Sequence, residues 1–480
     1  MKLHELGRAG RDPELPLQLP LPDGGLALMQ WLRVLPNRRY VALAEWQGRR
    51  VLAKLLVGRR ARRQYLRERT GASCLAEQGL PAPALLAHGY QAGGGGWLLF
   101  DFLDGAESLG IRWRTVAEQP PLSPEQGAIL GAALEAVGAL HARGLWQEDL
   151  HLDNLLYHNS RLNWVDCGTI RAAQPGRSLA TRQALVNLAV FFAQLPAAFD
   201  RFVACLLEAY RRGGGCHGLP VDELLRRVAA TRRRRCRRFL AKTGRDCSEF
   251  SVRRGPMELR SVRRDEMAAL QPLLADPDRF IARGEILKAG GSATVARVCV
   301  DGRVLVVKRY NIKGAGHWLR RFWRPSRAWQ AWRKGYLLGF LGVATAQPLA
   351  VLERRCCWLR RRAYLVTEWL GGGNILERLA PYVHDAPPQE ELVAIEQLFA
   401  TLLRERISHG DLKGTNLIWH DSRWALIDLD ALRRHASDRS FAPAYARDRS
   451  RFLRNWPADS ALFRLLEQRL PPVRGSQDVL

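Results

Sequence analysis

The sequence predicts an α+β chain of two tandem bilobal units, each with a small antiparallel β-rich N-lobe and a helical C-lobe, joined by a basic helical linker. Three observations predict it. The segments DLHLDNLLYHNSRLNWVDCG at Asp149 and DLKGTNLIWHDSRWALIDLD at Asp411 repeat one spacing 262 residues apart, with an Asn five residues after the first Asp and a second Asp twelve residues later. Each is preceded by a Lys on a predicted strand, Lys54 in RRVLAKLL and Lys308 in GRVLVVKRY, 95 and 103 residues before its Asp. Between the halves the composition changes to GGGCHG, LPVDELLRRVAA and TRRRRCRRFLAKTGRD. A chain of 480 residues exceeds what one core supports, and 47% hydrophobic residues suffice for two. The expected division is a tail over 1–24, a first unit over 25–215, a linker over 216–277 and a second unit over 278–480.

Taken in order, the strand of Lys54 leads into a helical stretch, RRQYLRERTGASCLAEQG, with Glu68 seven residues before Leu75. A strand entry follows at GLPAPALL, then the apolar run WLLFDFLDG near Asp101. Ser123 is an N-cap with Pro124 at the first helical position and Gln126 completing a capping box, and Gly144 ends that helix just before the Asp149 segment. Within that segment, Leu155–Tyr157 and Leu162–Val165 form a hairpin across HNSR that returns Asp166 beside Asn154. His158 is a turn residue, as is His420 at the matching place in the second half. The second half repeats the series: a Gly-rich turn at Gly290, Gly291 and Ser292, the strand of Lys308, GVATAQPL, YLVTEWLGG near Glu368, and a hairpin of Leu417–Trp419 and Trp424–Ile427.

The order Lys, Asp, Asn, Asp has a chemical reason. In kinase-type phosphoryl transfer one carboxylate accepts the proton of the attacking hydroxyl, while an Asn and a second Asp hold magnesium against the phosphates. The order matches H-R-D-x-x-x-x-N followed by D-F-G. Asp149 and Asp411 are therefore candidate bases, and Asn154 with Asp166 and Asn416 with Asp428 are candidate metal ligands. Lys54 and Lys308 are placed to hold the ATP phosphates, with Glu68 pairing Lys54. Gly290, Gly291 and Ser292 would close over the phosphates through backbone N–H groups. The strings ending near Asp101 and Glu368 read as hinges that meet the adenine. ATP and Mg2+ are the expected cofactors.

The string SHGDLKGTNLIWHDSRWALIDLD, and with it the second half from about residue 280, resembles the lipopolysaccharide kinase family, which phosphorylates Kdo or heptose of the lipopolysaccharide inner core. The first half, with its D-L-H-x-x-N loop, resembles the broader kinase-like phosphotransferases. The resemblance implies a protein-kinase-like fold, with Asp411 as base, Lys413 near the transferred phosphate, Asn416 and Asp428 on magnesium and Lys308 on ATP. It also implies a sugar hydroxyl as acceptor and the lipopolysaccharide core or its lipid-linked precursor as partner. The two copies depart from the pattern differently. In the second half the register of Glu68 falls on Ala331, beside Gln330, so the ion pair is lost or recruits another residue. The first half has no Gly-rich loop and offers Arg38 and Arg39 instead, and its Gln147-Glu148 stands where the second has His409-Gly410. Neither has a D-F-G, since Cys167-Gly168 and Leu429-Asp430 follow the Asp. The first copy is the one expected to have lost activity.

Lys and Arg total 74 against 47 Asp and Glu, a formal charge of +27. That excess implies an anionic partner. The aromatics Trp318, Phe322, Trp323, Trp329 and Trp332 interleave an arginine run, as at an anionic inner-membrane surface, or else pack in a core. No nucleic acid is expected. The apolar run from Ala184 is too short to span a membrane and carries Asn187 and Gln194. The N-terminus lacks a signal-peptide core, and nine cysteines without a C-x-x-C pair suit a reducing compartment, so a cytoplasmic location at the inner face of the membrane is expected. Two rival readings share the residues: a Ser/Thr-type protein kinase, which would need an A-P-E segment that neither half shows, and a catalytically inert kinase-fold scaffold.

Overall fold

The computed structural model describes residues 2–22, 24–311 and 325–472 and is a mixed α+β structure. It divides into two compact units, Met1–Arg233 and Arg234–Leu480.

The first unit carries a six-stranded sheet. Its strands are β1 (Leu17–Leu21), β2 (Gly24–Leu35), β3 (Arg39–Trp46), β4 (Arg49–Leu56), β5 (Leu85–Gln91) and β6 (Gly95–Asp101), in the antiparallel order β1-β2-β3-β4-β6-β5. Alternation along β4 decides where its lysine points. Val51, Ala53 and Leu55 pack into the core on one face of the sheet, while Leu52 and Leu56 join the core on the other. Lys54 shares that second face, and so does helix α1 (Ala61–Glu77). The buried stripe of α1 runs Ala61, Tyr65, Glu68, Ala72 and Leu75, so Glu68 is carried inward by helical period. Gly71 sits in the same stripe because a Cβ there would lie 1.9 Å from the Cys167 carbonyl oxygen, and its absence lets α1 touch the segment after Asp166.

The helical part of this unit consists mainly of α2 (Leu109–Val116), α3 (Pro124–Ala142), α4 (Thr181–Phe192) and α5 (Val203–Arg212). Ser123 caps α3 as expected, accepting from the Gln126 N–H at 3.3 Å, but the Gln126 side chain accepts from Leu122 N–H at 2.9 Å and not from the cap residue. Gly144, at φ +73°, ends the segment where a Cβ would meet the Gln174 carbonyl oxygen at 2.2 Å. The hairpin β7 (Leu155–His158) and β8 (Arg161–Trp164) forms as read. Its two turn residues, Asn159 and Ser160, both have positive φ, the geometry of a two-residue hairpin turn. Asn187 is buried, donating to the Gln147 carbonyl at 2.7 Å and bonding His141 at 2.9 Å.

The boundaries differ from those read in the sequence. The stretch 1–24 is no separate tail, because β1 extends the first sheet and Leu6 and Leu19 enter its core. The stretch 216–277 is only partly a linker. Helix α6 (Val221–Lys242) contains the division, but β9 (Phe250–Arg254) and β10 (Glu258–Arg263) are sheet strands of the second unit. Both faces of this pair are partly buried: Phe250 and Val252 join the core on one face and Val262 the core on the other, with the arginines distributed over both. Within the RRRRCRR run, Arg232 is not a free surface charge: it holds Asp200 with both terminal nitrogens at 2.8 Å.

The second sheet continues with β11 (Glu285–Ala289), β12 (Ala293–Val300), β13 (Arg303–Tyr310), β14 (Pro348–Cys356) and β15 (Leu359–Glu368), in the order β9-β10-β14-β15-β13-β12-β11. The five strands β11-β12-β13-β15-β14 repeat the β2-β3-β4-β6-β5 order of the first unit, and the added strands lie on opposite edges. Alternation on β13 buries Leu305 and Val307 on one face and turns Lys308 and Tyr310 to the other, where helix α7 (Arg327–Phe340) packs. Trp332 of α7 is fully buried and T-shaped on Phe250 and Tyr336, at 5.9 and 4.7 Å. Trp332 is therefore core, with Trp329 packed against it, and neither is free for a membrane surface; Trp318, Phe322 and Trp323 lie outside the described residues. Helices α8 (Gln389–Glu405), α9 (Asp438–Leu453) and α10 (Ala461–Arg469) surround the hairpin β16 (Leu417–His420) and β17 (Arg423–Leu426) in a separate core.

Candidate phosphotransfer site

The two copies build the same backbone frame. Asn154 Nδ2 donates to the Asp149 carbonyl at 2.7 Å, and Asn416 Nδ2 to that of Asp411 at 2.8 Å. The N–H before each second Asp returns to the Asn: Val165 to the Asn154 carbonyl and Ile427 to the Asn416 carbonyl, both at 3.0 Å. Asn and second Asp are thereby neighbours in each copy. Asp166 (φ 59°, ψ 54°) and Asp428 (φ 56°, ψ 58°) both adopt the left-handed conformation, a strain of about 1–3 kcal/mol that proteins keep chiefly where function needs it.

The difference between Gln147 and His409 conceals one shared interaction. Gln147 Nε2 donates to the Val165 carbonyl at 2.8 Å, and His409 Nε2 donates to the Ile427 carbonyl at 3.0 Å. Both side chains are fully buried, and burial holds the imidazole of His409 below its ordinary pKa, hence neutral and able to present one N–H. Asp448 of α9, which the sequence did not single out, accepts the N–H groups of His409 and Gly410 at 2.6 and 3.0 Å.

In the first unit Lys54 and Glu68 meet as read, with Nζ 2.7 Å from Oε2. Burial by itself would lower the lysine pKa, but Glu68, with Cys167 and Asp166 behind it, raises it on balance. Glu68 also accepts the Gly168 N–H at 3.1 Å, which ties α1 to the residues after Asp166. Arg39 lies 3.6 Å from both Asp166 Oδ1 and Glu68 Oε1, occupying with a side-chain cation the ground a Gly-rich loop would leave open. His151 Nε2 is 2.9 Å from Asp149 Oδ1.

The second unit solves the same problem with another residue. Ala331 is buried, and Gln330 donates to the Pro325 carbonyl, so neither serves Lys308. Lys308 Nζ instead donates to Asp428 Oδ1 at 2.6 Å and to Asp430 Oδ2 at 2.9 Å. Asp430 further accepts from Tyr310 Oη at 2.8 Å and Arg327 Nη2 at 2.6 Å, while Lys334 of α7 holds its carbonyl at 2.6 Å. Burial pushes the Asp430 carboxyl up, but Lys308, Tyr310 and Arg327 outweigh it and hold the group below the usual carboxylate range. Gly290, Gly291 and Ser292 form the turn between β11 and β12. Asn311, just past Lys308, anchors that turn through its N–H to the Ser292 carbonyl at 3.2 Å and its Nδ2 to the Gly290 carbonyl at 3.1 Å. Glu368 ends β15, its side chain 3.3 Å from Arg303 and its backbone N–H donating to the Gln347 carbonyl at 3.1 Å. Lys413 Nζ lies 3.5 Å and Arg451 Nη1 2.7 Å from the Asp411 carboxylate. Arg451 was invisible in the sequence because its only signal, a helical arginine, is shared with dozens of others.

The donor set fits magnesium. Asn416 and Asp428 offer hard oxygens on adjacent backbone, and Mg2+ takes one or two carboxylates together with substrate phosphates. Lys308 uses one Asp428 oxygen and leaves the other. The same holds for Asn154 and Asp166 in the first unit, with Arg39 close by.

Strand order, strand lysine and the Asp-Asn-Asp series are those of a kinase-type phosphotransferase. Residues 316–447 match the model of the lipopolysaccharide kinase (Kdo/WaaP) family, so the second unit carries the segment that marks this family of kinases, as the resemblance implied. The match covers α7, Glu368, Asp411, Asn416, Asp428 and Asp430 but begins after Lys308. No curated protein matches the chain. Among solved structures, WaaP in complex with acyl carrier protein is 20% identical with a TM-score of 0.34, over 44% of this chain and 89% of its own. A point mutant of the PknI kinase domain of Mycobacterium tuberculosis is 19% identical with a TM-score of 0.29, over 43% of this chain and 94% of its own.

Proposed function

We propose that the second unit is an ATP- and Mg2+-dependent phosphotransferase acting on a sugar hydroxyl, of heptose or Kdo, in the lipopolysaccharide inner core. The observation that carries it is the convergence of Lys308 with Asp428 and Asn416 beside Asp411, the last three of which lie within the family-matched segment. Lys308, held by Asp430, would bind the ATP phosphates, and the turn at Gly290, Gly291 and Ser292 would cover them. Asn416 and Asp428 would hold magnesium, which when bound neutralises phosphate charge. Asp411, oriented by Arg451, would take the proton of the acceptor hydroxyl, with Lys413 beside the transferred group. The charge of +27 supports a location at the anionic cytoplasmic face of the inner membrane. No helix among the described residues is long and apolar enough to cross a membrane.

For the first unit we favour nucleotide binding with weak or no turnover. Lys54 and Glu68 form the ion pair that positions ATP, but Arg39 lies against Asp166, a candidate metal ligand. The test is transfer from radiolabelled ATP to purified core lipopolysaccharide by the full chain. Asp411→Ala should abolish labelling and Asp149→Ala should leave most of it. The reverse pattern would move catalysis to the first unit, and labelling of protein substrates instead of core would favour the protein-kinase reading.

A further inference from the structure

Beside Asp411 the second unit has a cavity of about 260 Å³ that shares Arg451 with the phosphotransfer site but is otherwise lined by residues given no part in it. One wall is the catalytic segment at Ser408 and Gly410, another is the strand and turn from Ala431 to His435, and the third is one face of α9. On that face Ser440, Ala444, Arg447 and Arg451 follow at steps of four, three and four residues, so all point the same way. Arg433 enters from the opposite side. A second cavity, lined by Arg447, Arg451 and Arg454, continues the basic surface along α9.

Charge balance sets this cavity apart from the paired arginines around it. Arg434 and Arg406 nearby each hold a carboxylate, of Glu405 and Asp438. Arg433 and Arg447 have no carboxylate partner among the described residues. The one acid in the lining, Asp448, is buried and turned onto the N–H groups of His409 and Gly410. His435, bonded to Ser408 at 2.8 Å and Ser440 at 3.2 Å, is held below its ordinary pKa by burial and then by Arg433 and Arg447. The cavity therefore presents arginines in excess, one of which, Arg451, also touches the base. Its volume lies just below the roughly 300–1,000 Å³ of pockets for whole drug-sized ligands, so it suits one group of a larger substrate.

We infer that this cavity is a subsite for an anionic group, phosphate or carboxylate, borne by the acceptor sugar, which Arg433, Arg447 and Arg451 clamp while a neighbouring hydroxyl meets Asp411. Guanidinium forks bind both anions through paired charge-assisted hydrogen bonds. The inference rests on reading the second unit as a sugar kinase; it adds the residues that hold the anion and, for a heptose acceptor, that the sugar already carries a charged group.

The test uses the full chain and three soluble probes: glucose 6-phosphate, glucuronate and glucose. Calorimetric titrations are run with and without a saturating non-hydrolysable ATP analogue and magnesium, on the wild type and on the double variant Arg433→Gln/Arg447→Gln. The expected result is binding of the phosphate sugar, the carboxylate sugar or both, no binding of glucose, and at least about tenfold weaker binding to the variant. The arm that binds identifies the anion. Equal binding by both proteins overturns the proposal, as does binding of glucose alone. A parallel sedimentation with phosphatidylglycerol vesicles separates the lipid source: loss of vesicle binding in the variant without any sugar-anion binding also overturns it. Failure of the ATP analogue to bind would count against the kinase reading alone, because the titrations without nucleotide still decide the subsite.

Discussion

Lys308 and Asp430 face each other at 2.9 Å across 122 residues of sequence, and this contact replaces the helix glutamate that pairs with the strand lysine in the first unit. Asp430 lies two residues after Asp428, so Lys308 is fixed from the catalytic segment and not from the helix packed above it. Lys334 and Arg327 of α7 bind Asp430 in turn, which reverses the polarity of the first unit: there the helix supplies the acid, here it supplies the bases.

Asp430→Asn should therefore lower kcat/KM for ATP by about ten- to a hundredfold, roughly 1.4–2.7 kcal/mol of transition-state stabilisation. The substitution keeps the size of the side chain but leaves Lys308 with Asp428 alone. Steady-state kinetics and nucleotide binding measured together should show a raised KM for ATP. Wild-type kinetics in this variant would assign Asp430 a packing role only.

Glu68→Ala should destabilise the first unit by about 3–5 kcal/mol, since it leaves Lys54 buried and without its nearest counter-charge. The double variant Lys54→Met/Glu68→Leu should recover most of that loss. Denaturant melts of the three proteins, followed by a probe in the first unit, check the order.

His409→Gln should be tolerated with a loss below about 1 kcal/mol, because Gln147 already makes the equivalent bond to the carbonyl before Asp166. His409→Ala, which strands the Ile427 carbonyl, should cost about 1–3 kcal/mol. Thermal unfolding of the pair discriminates a hydrogen-bonding role from a titrating one.

Stability of the first unit should fall with acid between about pH 6.5 and 4. His141 is buried between Tyr210 and Asn187, and burial lowers its pKa from 6.5 to about 4. As pH falls the unfolded chain takes up the proton first, so stability is full above the unfolded value and lost progressively toward the folded one. The loss is on the order of 3 kcal/mol. Chemical denaturation at stepped pH should show it, and His141→Gln should flatten that part of the profile.

Much of each candidate site was legible because its residues are local. Asp149, Asn154 and Asp166, like Asp411, Asn416 and Asp428, sit on one loop and one hairpin, whose turn chemistry and strand period bring them together without help from the rest of the chain. Lys54, Lys308 and Glu68 could be placed because alternation in a strand and the stripe of a helix specify a face. The strands at Phe250–Arg254 and Glu258–Arg263 were hidden by arginines that fall on both faces and break the period of two, so the stretch reads as a linker until the partner strand Pro348–Cys356 is beside it.

By itself the sequence determined the duplicated Asp-Asn-Asp series, the two strand lysines and the α+β architecture, since all follow from short-range periodicity and spacing. Only the tertiary structure decided that Asp430 serves Lys308, that Gln147 and His409 make one and the same bond, that Arg451 holds Asp411, and that Arg433 and Arg447 converge on one cavity. Each of these joins residues whose separation along the chain carries no information about distance, and only the packing of sheet, helix and loop into a common core brings them within reach.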